Sequence, residues 1–244
     1  MQAFGPAKDL PMKLLSIAGN SKIVKTNKAA AGKYLFAGLS LMPNNTICPG
    51  SKAAGCMETC LQSAGRGIFK NVQAARRSKT EWFETDKDGF LDQLRKDLHA
   101  LERKAKREGL KPVVRLNVLS DIAWEAYNIP QSFPGIQFYD YTKRAGRIGS
   151  RFLPANYYLT FSYSNEPAYQ QQVKTAVDKG ANIAIVFAGG LPATFKGRKV
   201  IDGDLHDMRI DDPAGIIVGL RAKGKAKTTE NNFVVQNPEV IASC

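Results

Sequence analysis

Three cysteines fall within thirteen residues, CPGSKAAGCMETC, as Cys48, Cys56 and Cys60 in a C-x7-C-x3-C array. Thiolates are soft ligands. Three from one loop suit three irons of a [4Fe–4S] cube and leave the fourth iron open to a substrate, a cofactor, water or a distant side chain. Structural zinc takes four protein ligands, commonly as paired C-x2-C units, and none is present. Zinc and plain buried thiols stay as alternatives. Cys244, the last residue of the sequence, is read as a free thiol, with completion of the cluster a lesser option. Polar residues gather where strands are expected to end: Arg115, Asn117 and Asp121, then Asp140 and Lys143, then Glu166. The carboxylates among them suit general acid–base work or cluster ligation. His206 offers a ligand or proton donor, and five aspartates between 202 and 212 suit a hard cation, although Asp-Gly turn chemistry explains them as well.

Those strand ends require strands. Tyr34–Leu41, Lys111–Leu119, Ile136–Tyr141, Tyr157–Tyr163 and Asn182–Ala188 are short apolar runs, with one more strand inside Asp211–Gly224. Phe90, Leu94, Leu98, Leu101 and Ala105 make one stripe of an amphipathic helix, capped by Asp86 or Asp88 and closed by Gly109. A second helix over Ala168–Lys179 places Tyr169, Val173, Ala176 and Val177 on one face. Short helices are expected over Cys56–Ala64 and Phe69–Arg77, the first putting Cys56 and Cys60 on a shared face. Strand, helix and strand in succession imply βαβ units. The expected fold is α/β, a partial or distorted parallel βα barrel of about five to six strands. Residues 1–33 form a basic N-terminal extension packed on a main domain, 34–244. Function then belongs at the carboxyl ends of the strands.

The chain has 244 residues and a formal charge of +13, with 43% hydrophobic residues. That length buries a core without help from a metal. Residues 1–79 hold twelve Lys or Arg against two acids, so most of the excess lies there. A polyanionic partner follows, meaning nucleic acid, phosphorylated ligands or the acidic surface of a host protein. Arg66, Lys70, Arg76, Arg77 and Lys79, followed by Trp82 and Phe83, suit single-stranded nucleic acid, and Arg221, Lys223, Lys225 and Lys227 form a second basic group. No run approaches the ~18 apolar residues of a membrane span, and the first fifteen residues lack the core of a signal peptide. A cytoplasmic location is expected.

LSLMP, C-P-G-S-x-x-x-G-C-x-x-x-C, QSAGRG, VQAARRSKTEWF, RLNVLSDIAWE, FYDYTK, NYYLTFSYSNE, IAIVFAG and VIDGDLHDMRIDDPAGIIVGLRAKGKA occur in that order over roughly residues 34–227. On these segments the chain resembles a phage protein family of the mycobacteriophage gene-88 type. The resemblance implies a phage-encoded protein in the cytoplasm of an infected bacterium. A more remote likeness, carried by three cysteines in a loop after the first strand, is to radical S-adenosylmethionine enzymes. It implies S-adenosylmethionine on the open iron, although those enzymes carry C-x3-C-x2-C. Two functions stand: a [4Fe–4S]-dependent, radical-S-adenosylmethionine-like enzyme, or a cluster-bearing binding protein without catalysis.

Overall fold

Two long helices set the scale of the molecule. In the computed structural model, which describes residues 12–18, 21–30 and 32–236, α2 (Lys70–Thr85) and α3 (Lys87–Arg107) pack on each other. Asp86 separates them, and its carboxylate accepts the Gly89 N–H as the N-cap of α3. Phe90, Leu94, Leu98, Leu101 and Ala105 are all buried, as their spacing predicts. Gly109 then takes a left-handed φ of +67°, a conformation that suits glycine at a helix end.

The strands are β1 (Leu15–Ser16), β2 (Tyr34–Leu39), β3 (Lys111–Arg115), β4 (Gln137–Thr142), β5 (Tyr157–Ser162), β6 (Ile183–Phe187), β7 (Thr194–Phe195), β8 (Arg198–Asp202), β9 (Ile217–Arg221) and β10 (Val234–Val235). They form one sheet in the order β1-β2-β3-β4-β5-β6-β9-β8-β7, with β10 added beside β6. Pairing is parallel from β2 through β8 and antiparallel at both ends, β1 on β2 and β7 on β8. This corrects the expected barrel: the fold is an open, ten-stranded, mixed α/β sheet. A barrel closes only when its outer strands bond to each other, and here the path ends at β1 on one side and β7 on the other.

The crossovers also depart from a βα wall. Between β3 and β4 there is one 3-10 turn and the four-residue α4 (Ile129–Ser132), and between β4 and β5 another 3-10 turn. Only α5 (Gln170–Asp178), between β5 and β6, matches the expected single-helix connection. Tyr169, Val173 and Ala176 bury as read, whereas Val177 is exposed at 43%. The short α1 (Ser21–Ala29) packs on β2. Asp97 of α3 fixes β1 through its carboxylate, which accepts the N–H groups of Leu14 and Leu15 at 2.6 and 2.9 Å.

Neighbouring strands share β6 lengthwise. Its first residues pair with β5 (Phe161↔Ile183, Ser162↔Ala184), and its last two pair with β10 (Val234↔Val186, Val235↔Phe187). The late segment 231–235 therefore fills the edge that β5 vacates, and the Asn165 N–H ties it down by donating to the Asn232 carbonyl at 2.8 Å.

Candidate functional site

A cavity of about 360 Å³ opens at the carboxyl edge of the parallel strands. Its wall draws on the segment after β2, the ends of β3, β4 and β5, and Phe233 just before β10. All three cysteines of the loop line it. The loop is not helical: residues 49–59 are mainly turns, and a 3-10 turn follows at Leu61–Ser63. This corrects the expected helix over 56–64 and the shared helical face of Cys56 and Cys60. The turns bring the thiols to one wall by another route. Gly55 holds φ +68°, and a Cβ there would lie 2.8 Å from a Glu166 carboxylate oxygen. The Asn231 side chain donates to the Gly55 carbonyl at 2.9 Å, tying the cysteine loop to the segment before β10.

Partial exposure distinguishes the three thiols from packed core cysteines. Each is only half-buried. Burial pushes the Cys48 thiol up to about 12, with Cys60 and Cys56 adding to the rise and Lys143 opposing it. Burial raises Cys60 too. Lys143 leaves the end of β4 and sets its ammonium against Cys56, 3.3 Å from Ser162 Oγ and 5.5 Å from the Phe233 ring centroid. Desolvation works against its charge, but Cys56, Asp121 and Cys48 outweigh that and hold its pKa above the ordinary lysine value. The Cys48 thiol donates to the Leu119 carbonyl at 3.5 Å. Among the described residues, no three His, Cys, Asp or Glu side chains converge on a single-ion site.

Of the other predicted site residues, Arg115, Asn117, Asp121 and Lys143 line the cavity with the cysteines. Arg115 donates to Asp207 at 2.7 Å and lies 4.6 Å over the Tyr141 ring. The Asp121 carboxylate accepts from Thr142 Oγ1, the Lys143 N–H and Arg147, which makes it the anchor of the β4 end. Asp140 lies elsewhere, wholly buried, accepting from the Asn117 N–H at 2.7 Å and the Tyr157 hydroxyl at 2.7 Å. Burial raises its pKa to about 7, against the lowering influence of Tyr157, Arg115, Asn117 and Arg147. Glu166 also stands outside the cavity wall, with Asn232 as its partner.

The aspartates of this segment do not converge as a group of three among the described residues, and Asp202, Asp204 and Asp207 pair with basic and hydroxyl groups instead. Asp207 is the buried counterion of Arg115 and accepts from the Tyr139 and Tyr141 hydroxyls, while Asp202 and Asp204 pair with Arg221. His206 sits beside Arg209, away from the cysteines. Cys244 lies outside the described residues.

The basic residues divide. Arg66 and Arg76 line the cavity, Lys70 and Arg77 are exposed on α2, and Lys79 turns inward to donate to the Leu14 carbonyl at 2.9 Å. Lys79 thus serves the N-terminal segment and not the surface patch. Arg76 carries a buried Nη1 with no hydrogen-bond partner. Gly67 makes room for it, since a Cβ there would stand 3.2 Å from that nitrogen. Burial lowers the Arg76 pKa, and Cys60 works in the opposite direction. Sequence reasoning missed Phe233 as a neighbour of Lys143. Phe233 had no signal, because its place depends on β10 joining β6.

No helix among the described residues is long and apolar enough to cross a membrane. No curated protein and no solved structure matches the chain. The family model described as Gene product 88 matches residues 12–237, nearly the whole chain, in keeping with the phage gene-88 likeness, whereas nothing in these comparisons carries the likeness to radical S-adenosylmethionine enzymes. The chain belongs to the gene product 88 family.

Proposed function

We propose that this chain is an iron–sulfur protein whose cysteines Cys48, Cys56 and Cys60 hold a [4Fe–4S] cluster with one iron open to the cavity, and that it is an enzyme acting there. The observation that carries this reading is the meeting of three half-buried thiols and the Lys143 ammonium on one cavity wall. A cube keeps its ligand sulfurs farther apart than one ion does. Three thiols from one loop, with no paired C-x2-C unit and no fourth Cys or His beside them on the cavity wall among the described residues, suit three irons of a cluster better than structural zinc.

When bound, such a cluster supplies an electron or a Lewis-acidic iron at its open corner. The protein's own residues do the rest. Lys143 and Arg76 would balance the charge of the thiolates that hold the cluster. Asp121 holds the backbone from which Lys143 projects. Arg115, already neutralised by Asp207, shapes the far wall without adding net charge. Loading must displace the thiol protons that burial favours, so assembly improves as pH rises.

Anaerobic purification with iron and acid-labile sulfide analysis tests the reading. The expected result is about four of each per chain. Stoichiometric zinc without sulfide refutes it. Reduction in the presence of S-adenosylmethionine then identifies the open-iron ligand: release of methionine and 5′-deoxyadenosine assigns it, and no cleavage or spectral change removes that cofactor.

A further inference from the structure

A second depression, of about 410 Å³, lies on the other side of the Cys60 turn, and Cys60 belongs to both walls. Met57, Gln62, Ile68, Gln73 and Lys225 line it, with Glu58 as its one carboxylate. The two hollows meet at Cys60. The crest beside it is apolar yet open to solvent: Leu61, Ile68 and Phe69 are 51%, 56% and 52% exposed. Three large apolar side chains exposed within nine residues are an unusual concentration for a soluble surface.

Cations frame this crest. Gln73 lines the second hollow, and Lys70 and Arg77 stand three residues before and four after it, on the same face of α2. Arg66 stands at the mouth of the first cavity. Lys225 reaches the second hollow because its N–H donates to Ser63 Oγ at 3.2 Å, which joins the 3-10 turn Gly224–Lys227 to the cysteine segment. None of these four cations has an acidic partner among the described residues, and residues 59–80 contain no Asp or Glu. Lys223, by contrast, is paired with Asp204.

We infer that this surface binds single-stranded nucleic acid and that the pocket's substrate is a nucleotide within that strand. The inference rests on the proposed function, for which it names the substrate class. Unpaired cations at the crest suit the phosphate backbone, and Phe69, Ile68 and Leu61 offer apolar faces to the bases. A cavity of about 360 Å³ is at the small end of ligand pockets, and beside the cluster proposed on its cysteine wall it suits one extruded base and not a folded partner. A peptide of acidic residues alone would use the cations but leave the exposed apolar crest uncovered.

The test is fluorescence anisotropy of a labelled oligothymidylate with the full chain as purified, with iron and sulfide measured on the same samples. Binding is expected to weaken steeply between about 50 and 200 mM salt. R66A/K225A should lower the logarithmic salt slope by about 2. F69A should weaken binding about tenfold, whereas K106A/R107A, on the exposed end of α3, should leave it unchanged. Absence of binding at low salt, equal binding of polyglutamate, or loss of affinity at the α3 control equal to that at the crest overturns the inference. Oligonucleotide binding by anaerobically purified protein that carries stoichiometric zinc and no sulfide supports the surface while refuting the cluster. A fully loaded cluster with no oligonucleotide binding refutes this inference alone.

Discussion

Asp207→Ala is expected to be among the most damaging single substitutions in this chain. Asp207 is wholly buried and the Arg115 side chain is 10% exposed, with 2.7 Å between them. The Arg115 pKa lies above its ordinary value, because Asp207 and the neighbouring tyrosines outweigh the desolvation that would lower it. A guanidinium is not deprotonated in a protein, so Arg115 keeps its charge when the carboxylate goes. Removing one partner of a buried pair costs about 3–5 kcal/mol. The Tyr139 and Tyr141 hydroxyls, at 3.2 and 3.1 Å, also lose an acceptor, although water entering the space relieves part of that loss. A net loss of about 4 kcal/mol follows, roughly 10 °C in melting temperature for a chain of this size. Thermal unfolding followed by circular dichroism measures it. The companion is R115M/D207L, which removes both charges and keeps apolar volume. It should recover to within about 1–2 kcal/mol of the parent. A single variant that melts with the parent, or a double variant worse than the single, refutes this account of the aspartate loop.

Other outcomes follow from the same geometry. Asp140 binds its proton more tightly in the folded chain than in the unfolded one, about 7 against 3.8. The native state thus holds more protons over that interval, and stability falls as pH rises from about 4 to 7, by up to about 4 kcal/mol. D140N should flatten this slope in urea titrations at stepped pH, and an unchanged slope would assign it elsewhere. G55A places a side chain at φ +68° against Glu166; it should reduce iron loading severalfold with a smaller effect on melting, and full loading would show that the loop tolerates the strain. D97A strips the carboxylate from the Leu14 and Leu15 N–H groups. It should destabilise the chain by about 2 kcal/mol and hasten proteolysis near β1; cleavage at the parental rate would argue against that anchor.

How much of this was legible depends on the range of the interaction. The α3 stripe was plain because periodicity in one segment decides which face it buries. The interiors of β2 through β6 and of β9 were plain because apolar runs bounded by turns need no distant partner to be recognised. Closure of the sheet was not legible: β1 and β7 are two residues each, and their antiparallel pairing depends on contacts and turns outside their own residues. Near the site, the cysteine loop, Arg115 and Lys143 were visible as chemical types at strand ends. The exclusion of Asp140 was not, because alternation along β4 sends Asp140 toward Asn117 and Tyr157 and Tyr141 toward the cavity, a choice the packing makes. Lys79 was misread for a similar reason: its partner is a backbone carbonyl 65 residues away.

The lateral sharing of β6 between β5 and β10 has a consequence in time. Ribosomes emit the chain in order, and Phe233, which completes the wall beside Lys143, is made 173 residues after Cys60. At roughly 5–20 residues per second, that is an interval of roughly 10–35 s in which the thiols have left the ribosome and their enclosure does not yet exist. A product that stops before residue 231 lacks both the Asn231 tie to Gly55 and the ring beside Lys143. Translation order thus makes the completed cavity a mark of a chain read through to its last strand.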